Sequence, residues 1–302
     1  MIMKYGILSL LFLLTCPSLF AQDLIGELGG ESEKKEFSSA TFKSTRLINF
    51  QTVETVGPKT LDFRISHRFG PVNSGAYNAW GLDGPASIRL GLDYCYDGRF
   101  MIGIGRSSVE KMVDAYLKVR ILRQTIDNQM PISMTLFSGA YRNGLKTSGG
   151  PLDPFYYPID RFSYVNQLII ARKFSPSFSF QLAPFFVHYN IVNSITDKND
   201  MYGIAAATRI KFSKRSAITL EYAWRYPNDY SLETKYYDSF GIGYELETGG
   251  HVFQVHLTNS FGIADNQYLA RTTDTWNAKG IHLGFNISRV FTIPAGGGKS
   301  EW

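Results

Sequence analysis

Apolar and polar residues alternate with a period of two along most of this chain, the periodicity of a strand rather than a helix. The pattern is cleanest in Ser87–Ser108, SIRLGLDYCYDGRFMIGIGRSS. Ile88, Leu90, Leu92 and Tyr94 alternate with Arg89, Gly91, Asp93 and Cys95. Beyond Tyr96-Asp97-Gly98, Phe100, Ile102 and Ile104 alternate with Met101, Gly103 and Gly105. A three-residue turn with Gly98 left-handed puts both apolar rows on one face, with Tyr94 opposite Phe100, Leu92 opposite Ile102 and Leu90 opposite Ile104. An apolar row of about ten residues backed by a charged row is the pattern of a membrane-spanning strand in a closed barrel.

Twelve runs of this kind follow one another: 60–68, 87–96, 99–108, 112–123, 131–141, 161–173, 177–188, 201–212, 216–226, 237–246, 251–260 and 280–290. Connections after the even-numbered runs are mostly tight, as at Asp97-Gly98, Ser175-Pro176 and Thr248–Gly250. Those after the odd-numbered runs are mostly long, as at 69–86, 142–160 and 261–279, with 109–111 the short exception. A soluble β-sandwich also alternates, but it has no need to gather its long loops at one end. The expected fold is therefore all-β: a transmembrane antiparallel β-barrel of about 12 strands in an up-and-down meander over residues 59–291, in the outer membrane, with short turns and both termini in the periplasm. Pro184 lacks a ladder donor inside a closed sheet, so a bulge is expected there.

The ends of the chain add the compartment. Lys4, an apolar core Ile7–Leu14, Pro17 and the small Ala21 read as a secretory signal peptide over residues 1–21, with cleavage before Gln22. Cys16 opens a lipoprotein alternative, against which Leu14-Thr15 is a poor approach. Residues 22–58 are polar and read as a periplasmic segment able to associate with the lumen, and 292–302 as a tail. Only Cys95 remains after cleavage, so there is no intramolecular disulfide. Aromatic residues make up 15% of the sequence, as girdles at two membrane interfaces require. Removing Lys4 from 31 basic residues leaves 30 against 26 acidic ones, too mild an excess for a nucleic-acid partner. The partners expected are the lipid bilayer, the barrel assembly machinery and a small solute.

ATFKSTRLINFQTVETVGPKTLDFRISHRFG from Ala40, GLD at Gly81–Asp83, SIRLGLDY, IGIGRSS and LKVRILRQ together resemble a family of Bacteroidota outer-membrane barrel proteins, a domain of unknown function. The resemblance runs from about Phe42 to Phe291. It implies a barrel fold and an outer-membrane location, and it brings no catalytic residues with it.

Facing then assigns candidate chemistry. Charges unpaired in lipid cost several kcal/mol, so the face that collects them is the inner one. Expected to line the lumen are Arg64, Arg68, Arg89, Lys118, Arg120, Arg209 and Arg225, with Lys211 beside them, against Asp93, Asp114 and Glu221, joined by Asp62 and Glu245. This basic excess supports two readings: a pore favouring small polar or anionic solutes, and ladders of ion pairs filling a structural or docking barrel. Inward glycines, Gly91, Gly103, Gly105, Gly139, Gly203, Gly241, Gly243 and Gly284, relieve crowding or leave room for an inserted segment. Residues 41–55 are the polar stretch close enough to fold into that room, with Glu54 as a partner for the basic wall.

No catalytic residue, metal site or cofactor is expected. A lipid-hydrolysing barrel needs serine and histidine on one lipid-facing side, whereas Ser66 and His67 are adjacent on a strand and point apart. His256 and His282 face inward on neighbouring strands but lack a third ligand. Gly103-x-Gly105 lies inside a strand, without the helix a nucleotide loop needs.

Overall fold

A computed structural model describes residues 36–147, 154–192, 194, 197–227, 234–277 and 280–293. The expected signal peptide, residues 22–35 and all but the first two residues of the expected tail lie outside the described residues. The chain from Phe37 onward forms one compact unit.

Twelve strands close into a barrel: β1 (Thr60–Pro71), β2 (Ser87–Cys95), β3 (Phe100–Ser107), β4 (Val113–Leu122), β5 (Ser133–Arg142), β6 (Phe162–Ser175), β7 (Phe178–Tyr189), β8 (Asp200–Lys211), β9 (Ser216–Tyr226), β10 (Ser239–Thr248), β11 (His251–Thr258) and β12 (His282–Thr292). Each pairs antiparallel with its sequence neighbours, and β1 pairs with β12 to complete the ring. Closure satisfies every strand edge, which a sheet surrounded by lipid requires. The short turns collect at one end and the long connections at the other.

Alternation divides each strand between two environments. On β2 the pattern is strict: Ser87, Arg89, Gly91, Asp93 and Cys95 are buried, while Ile88, Leu90 and Leu92 are exposed. The outer surface is mostly apolar, with Ile102 and Ile104 each 58% exposed and a Ser138–Asn166 hydrogen bond among its polar groups. Aromatic rings gather near both of its rims: Tyr96, Phe100, Phe174 and Phe212 by the short turns, and Tyr202, Trp224 and Tyr226 by the long loops. In water such a surface would aggregate; in a bilayer it is the solvated face.

Two local expectations are corrected. The β2–β3 register is offset by two residues: Tyr94 pairs with Ile102, Leu92 with Ile104 and Leu90 with Arg106. The Asp97 carboxylate accepts the backbone N–H groups of Arg99 and Phe100, each at 2.8 Å, which makes Asp97 the first turn residue and extends the turn to Arg99. Gly98 is left-handed, at φ +84°, and a shift of two leaves every side chain on its face. Pro184 produces no bulge. It pairs with Ile204 in an unbroken β7–β8 register, and the β6–β7 register is the same on either side of it, from Gln167–Phe185 to Ile170–Leu182. The missing donor falls where the β6 ladder lapses, so the sheet need not bend.

Candidate functional site

The lumen is filled from both ends. From the short-turn end, residues 41–56 enter as a hairpin. The Leu47 amide donates to the Phe50 carbonyl (2.9 Å), the Thr52 amide to that of Thr45 (2.9 Å), and Arg46 bridges to Gln51. Every residue from Ser44 to Val53 is buried. From the opposite end the β11–β12 connection folds inward and presents the one-and-a-half-turn helix α1 (Asp265–Ala270), all of it buried. The two insertions meet. Arg46 donates to Asp265 at 2.9 Å, Gln51 Nε2 to the same carboxylate at 3.1 Å, and Phe50 stacks on Tyr268 with ring centroids 5.4 Å apart.

The hairpin is held by the inward side chains of almost every strand. Arg64 donates to the Ser44 hydroxyl and the Arg46 carbonyl (3.1 Å), and Arg68 to the Ile48 carbonyl (2.9 Å) and Asn49 Oδ1 (2.7 Å). Lys118 Nζ reaches the carbonyls of Thr45 (3.1 Å) and Glu54 (2.8 Å). Arg120 pairs with the Glu54 carboxylate at 3.0 Å. From the far wall, Glu221 accepts the backbone amides of Asn49 (3.0 Å) and Phe50 (3.1 Å), while Asn286 donates to the carbonyls of Leu47 and Ile48. Asp93 accepts the Thr45 hydroxyl at 3.3 Å and the Tyr116 hydroxyl. A hairpin has backbone groups that strand pairing leaves over, and buried groups of that kind need partners. The wall side chains provide them.

Arg89, Asp114, Arg209, Glu245 and Arg225 pair without the hairpin. Arg89 Nε donates to Asp114 Oδ1 at 3.0 Å, and a second donor reaches Oδ2, a bidentate pair between β2 and β4. Gly91 and Gly105 lie against the Arg89 guanidinium, where a Cβ would stand 2.7 Å and 2.2 Å from its atoms. Arg209 pairs with Glu245 at 2.7 Å and with Glu247. Arg225 lies 3.7 Å from Asp238 and donates to the Ala270 carbonyl at 3.4 Å, so it faces α1 rather than the hairpin. Two inward glycines seat the inserted segment itself: a Cβ at Gly241 or Gly243 would stand 3.1 Å or 3.0 Å from Ile48.

Other candidates stay apart. His282 bonds the Phe69 carbonyl and Asp274, His256 makes no side-chain hydrogen bond, and among the described residues no cluster suited to a metal ion forms. Ser66 is buried in the lumen while the His67 ring stacks on Phe285 outside, centroids 5.1 Å apart.

Sequence reasoning missed the residues that join hairpin to helix: Arg46, Gln51, Asp265 and Tyr268. Arg46 and Asp265 lie 219 positions apart in stretches without strand periodicity, and no local pattern links them. At the short-turn end the hairpin leaves a cavity of about 320 Å³ against the wall, bordered by Phe42, Thr45, Glu54, Val56, Asp62 and Val290.

Fold and lumen together define a membrane β-barrel with an internal plug. The chain belongs to the family described as a membrane bound beta barrel domain (DUF5777), which matches residues 42–291 and so takes in the plug as well as the wall. Among solved structures the chain is similar to the NanC porin, with a TM-score of 0.50 at 9% identity over 76% of this chain and 98% of that one. The KdgM porin gives 0.46 at 10% identity over 77% and 99%. The outer membrane phospholipase A from Escherichia coli gives 0.43 at 9% identity over 78% and 91%. These likenesses are of fold. No curated protein matches the sequence.

Proposed function

We propose that the protein is an outer-membrane channel for small anionic solutes, shut in the described conformation by its own N-terminal hairpin. The observation that carries this reading is how the wall cations are satisfied. Arg64, Arg68 and Lys118 give donors to backbone carbonyls, a hydroxyl and an amide of the hairpin, and Arg68 also to the His67 carbonyl and Asn286 Oδ1 of the wall, but none forms an ion pair with a wall carboxylate. Withdrawing the hairpin exposes a positive stripe on a water-filled lumen. Arginine keeps its charge at any physiological pH, and low-dielectric walls strengthen its attraction for anions. The porin-like fold is consistent with this role. In this reading residues 1–21 direct export, the barrel assembly machinery inserts the strands, short turns face the periplasm and long loops face outward.

A specific observation favours a second reading, a permanently packed barrel: the buried Arg46–Asp265 pair fastens the hairpin to a loop from the opposite end. Deleting residues 22–56 behind an intact signal separates the two. The channel reading expects steady conductance in planar bilayers from the truncated barrel, at least tenfold above the full chain. A truncated barrel that folds and stays silent at every voltage decides for the packed lumen.

A further inference from the structure

We propose that the cavity at the short-turn mouth is a binding site for a small organic cation, with Asp62 as its counter-ion. Asp62 is the second inward residue of β1, only 2% exposed, and it borders the cavity. Its Oδ1 has no hydrogen-bond partner, and among the described residues no cation lies within ion-pair distance of the carboxylate. A carboxylate withdrawn from water without a donor or counter-charge is costly, and one bordering an open cavity marks the place where a ligand supplies the missing charge.

The other charged side chains around the site carry hydrogen bonds or ion pairs, although Arg64 Nε has no partner. Arg64, next inward on β1, gives its donors to the hairpin at Ser44 and at the carbonyls of Arg46 and Leu47. Asp93, the cross-strand partner of Asp62, accepts Tyr116 and Thr45. Glu54 takes the Thr41 amide at 2.9 Å and Arg120 at 3.0 Å, and Lys43 lies 3.3 Å from Glu247. Asp62 therefore has no donor on Oδ1 and no ion pair among the described residues, with Arg64 as an opposing charge beyond bonding distance, and it stands beside a second carboxylate in register. That repels anions and favours a cation.

Cavity chemistry narrows the cation to an organic one. Three metal-binding side chains do not converge here or elsewhere among the described residues. Phe42, Val56, Val252 and Val290 line the walls, with Thr45 and Ser288 adding hydroxyls. Val290 is the other cross-strand partner of Asp62, so apolar surface begins directly beside the carboxylate. An ammonium group carrying a short aliphatic or aromatic body matches that arrangement. The volume, about 320 Å³, reaches the lower end of the roughly 300–1,000 Å³ of small-molecule sites. The inference concerns the mouth and holds whether or not the barrel conducts.

The test is equilibrium binding of 2-phenylethylammonium chloride to the full mature chain in detergent, with native folding checked by heat-modifiable migration. One saturable site is expected, with Asp62→Asn weakening binding at least tenfold and the neutral 2-phenylethanol binding neither form. Val290→Phe, which fills the cavity and keeps the carboxylate, should also abolish binding, and it decides the matter if Asp62→Asn does not fold. Equal binding by Asp62→Asn, or displacement by sodium at equal concentration, would overturn the proposal. So would an absence of saturable binding to the native chain.

Discussion

Two sets of cations share one lumen and are satisfied in different ways. Arg89 and Arg209 close on wall carboxylates, Asp114 and Glu245, each across one intervening strand. Arg64, Arg68 and Lys118 close on the inserted hairpin. The first set is neutralised by the barrel itself and would be paired in any state of the lumen. The second has most of its donors satisfied only while the hairpin is in place. The hairpin is itself basic, with Lys43 and Arg46 against Glu54, so net charge does not hold it. Directed hydrogen bonds to carbonyl oxygens do.

The largest effect is expected where hairpin and helix α1 are fastened together. Asp265→Ala leaves Arg46 buried without its counter-charge, and breaking a buried pair in this way costs about 3–5 kcal/mol. The full-length variant should open spontaneously in bilayers and lose protease protection around Arg46, while the barrel stays heat-modifiable. An unchanged closed barrel would show that the wall alone holds the hairpin.

Next comes the wall itself, compared in the truncated barrel. Arg64→Gln should lower the preference for chloride over potassium several-fold in reversal-potential measurements, because Arg64 forms no ion pair with a wall carboxylate, Asp62 and Asp93 acting on it only from beyond bonding distance. Arg89→Gln should change it less, since Asp114 already cancels that charge and its release raises the cost to the barrel instead. Equal shifts would erase the distinction between the two sets.

Acid provides a smaller test. Burial works to raise the Asp265 carboxyl, but Arg46 and the Tyr268 hydroxyl outweigh it and hold it below the ordinary value. A group depressed in the folded state stabilises it fully above the unfolded value, about 3.9, and loses that contribution as pH falls through the folded one. The share of closure held by the Asp265–Arg46 pair should therefore be constant between pH 8 and pH 5 and lost only in strong acid, read as an acid-induced rise in conductance that Asp265→Asn abolishes. An opening near neutrality would point to another group. The smallest effect is expected at Gly243, where a methyl group would stand 3.0 Å from Ile48. Gly243→Ala should loosen the hairpin by about 1 kcal/mol, the low end for overpacking, read as more frequent brief openings.

Much of the architecture was legible because strand periodicity is local. The alternation in β1 to β12 reports which face meets lipid, and loop lengths report the hairpin order. Facing survives even where register does not: at Asp97 a capping carboxylate moved the turn and the pairing with it, yet Arg89 and Asp93 stayed inside. Arg64, Arg68, Lys118 and Glu221 were identifiable as inward residues for the same reason. Their partners were not, since a carbonyl of Ile48 or Thr45 leaves no trace in composition or spacing.

By itself, then, the sequence determined the strand number, the two faces and the basic inner wall, all consequences of side chains alternating along a strand. Only the tertiary structure decided what fills the lumen and which charge is left over. Arg46 meets Asp265, and Asp62 Oδ1 is left without a hydrogen-bond partner among the described residues, because folding brings together residues as far as 239 positions apart. Which cation finds a partner there depends on distances of a few ångströms, and strand periodicity carries no information at that scale.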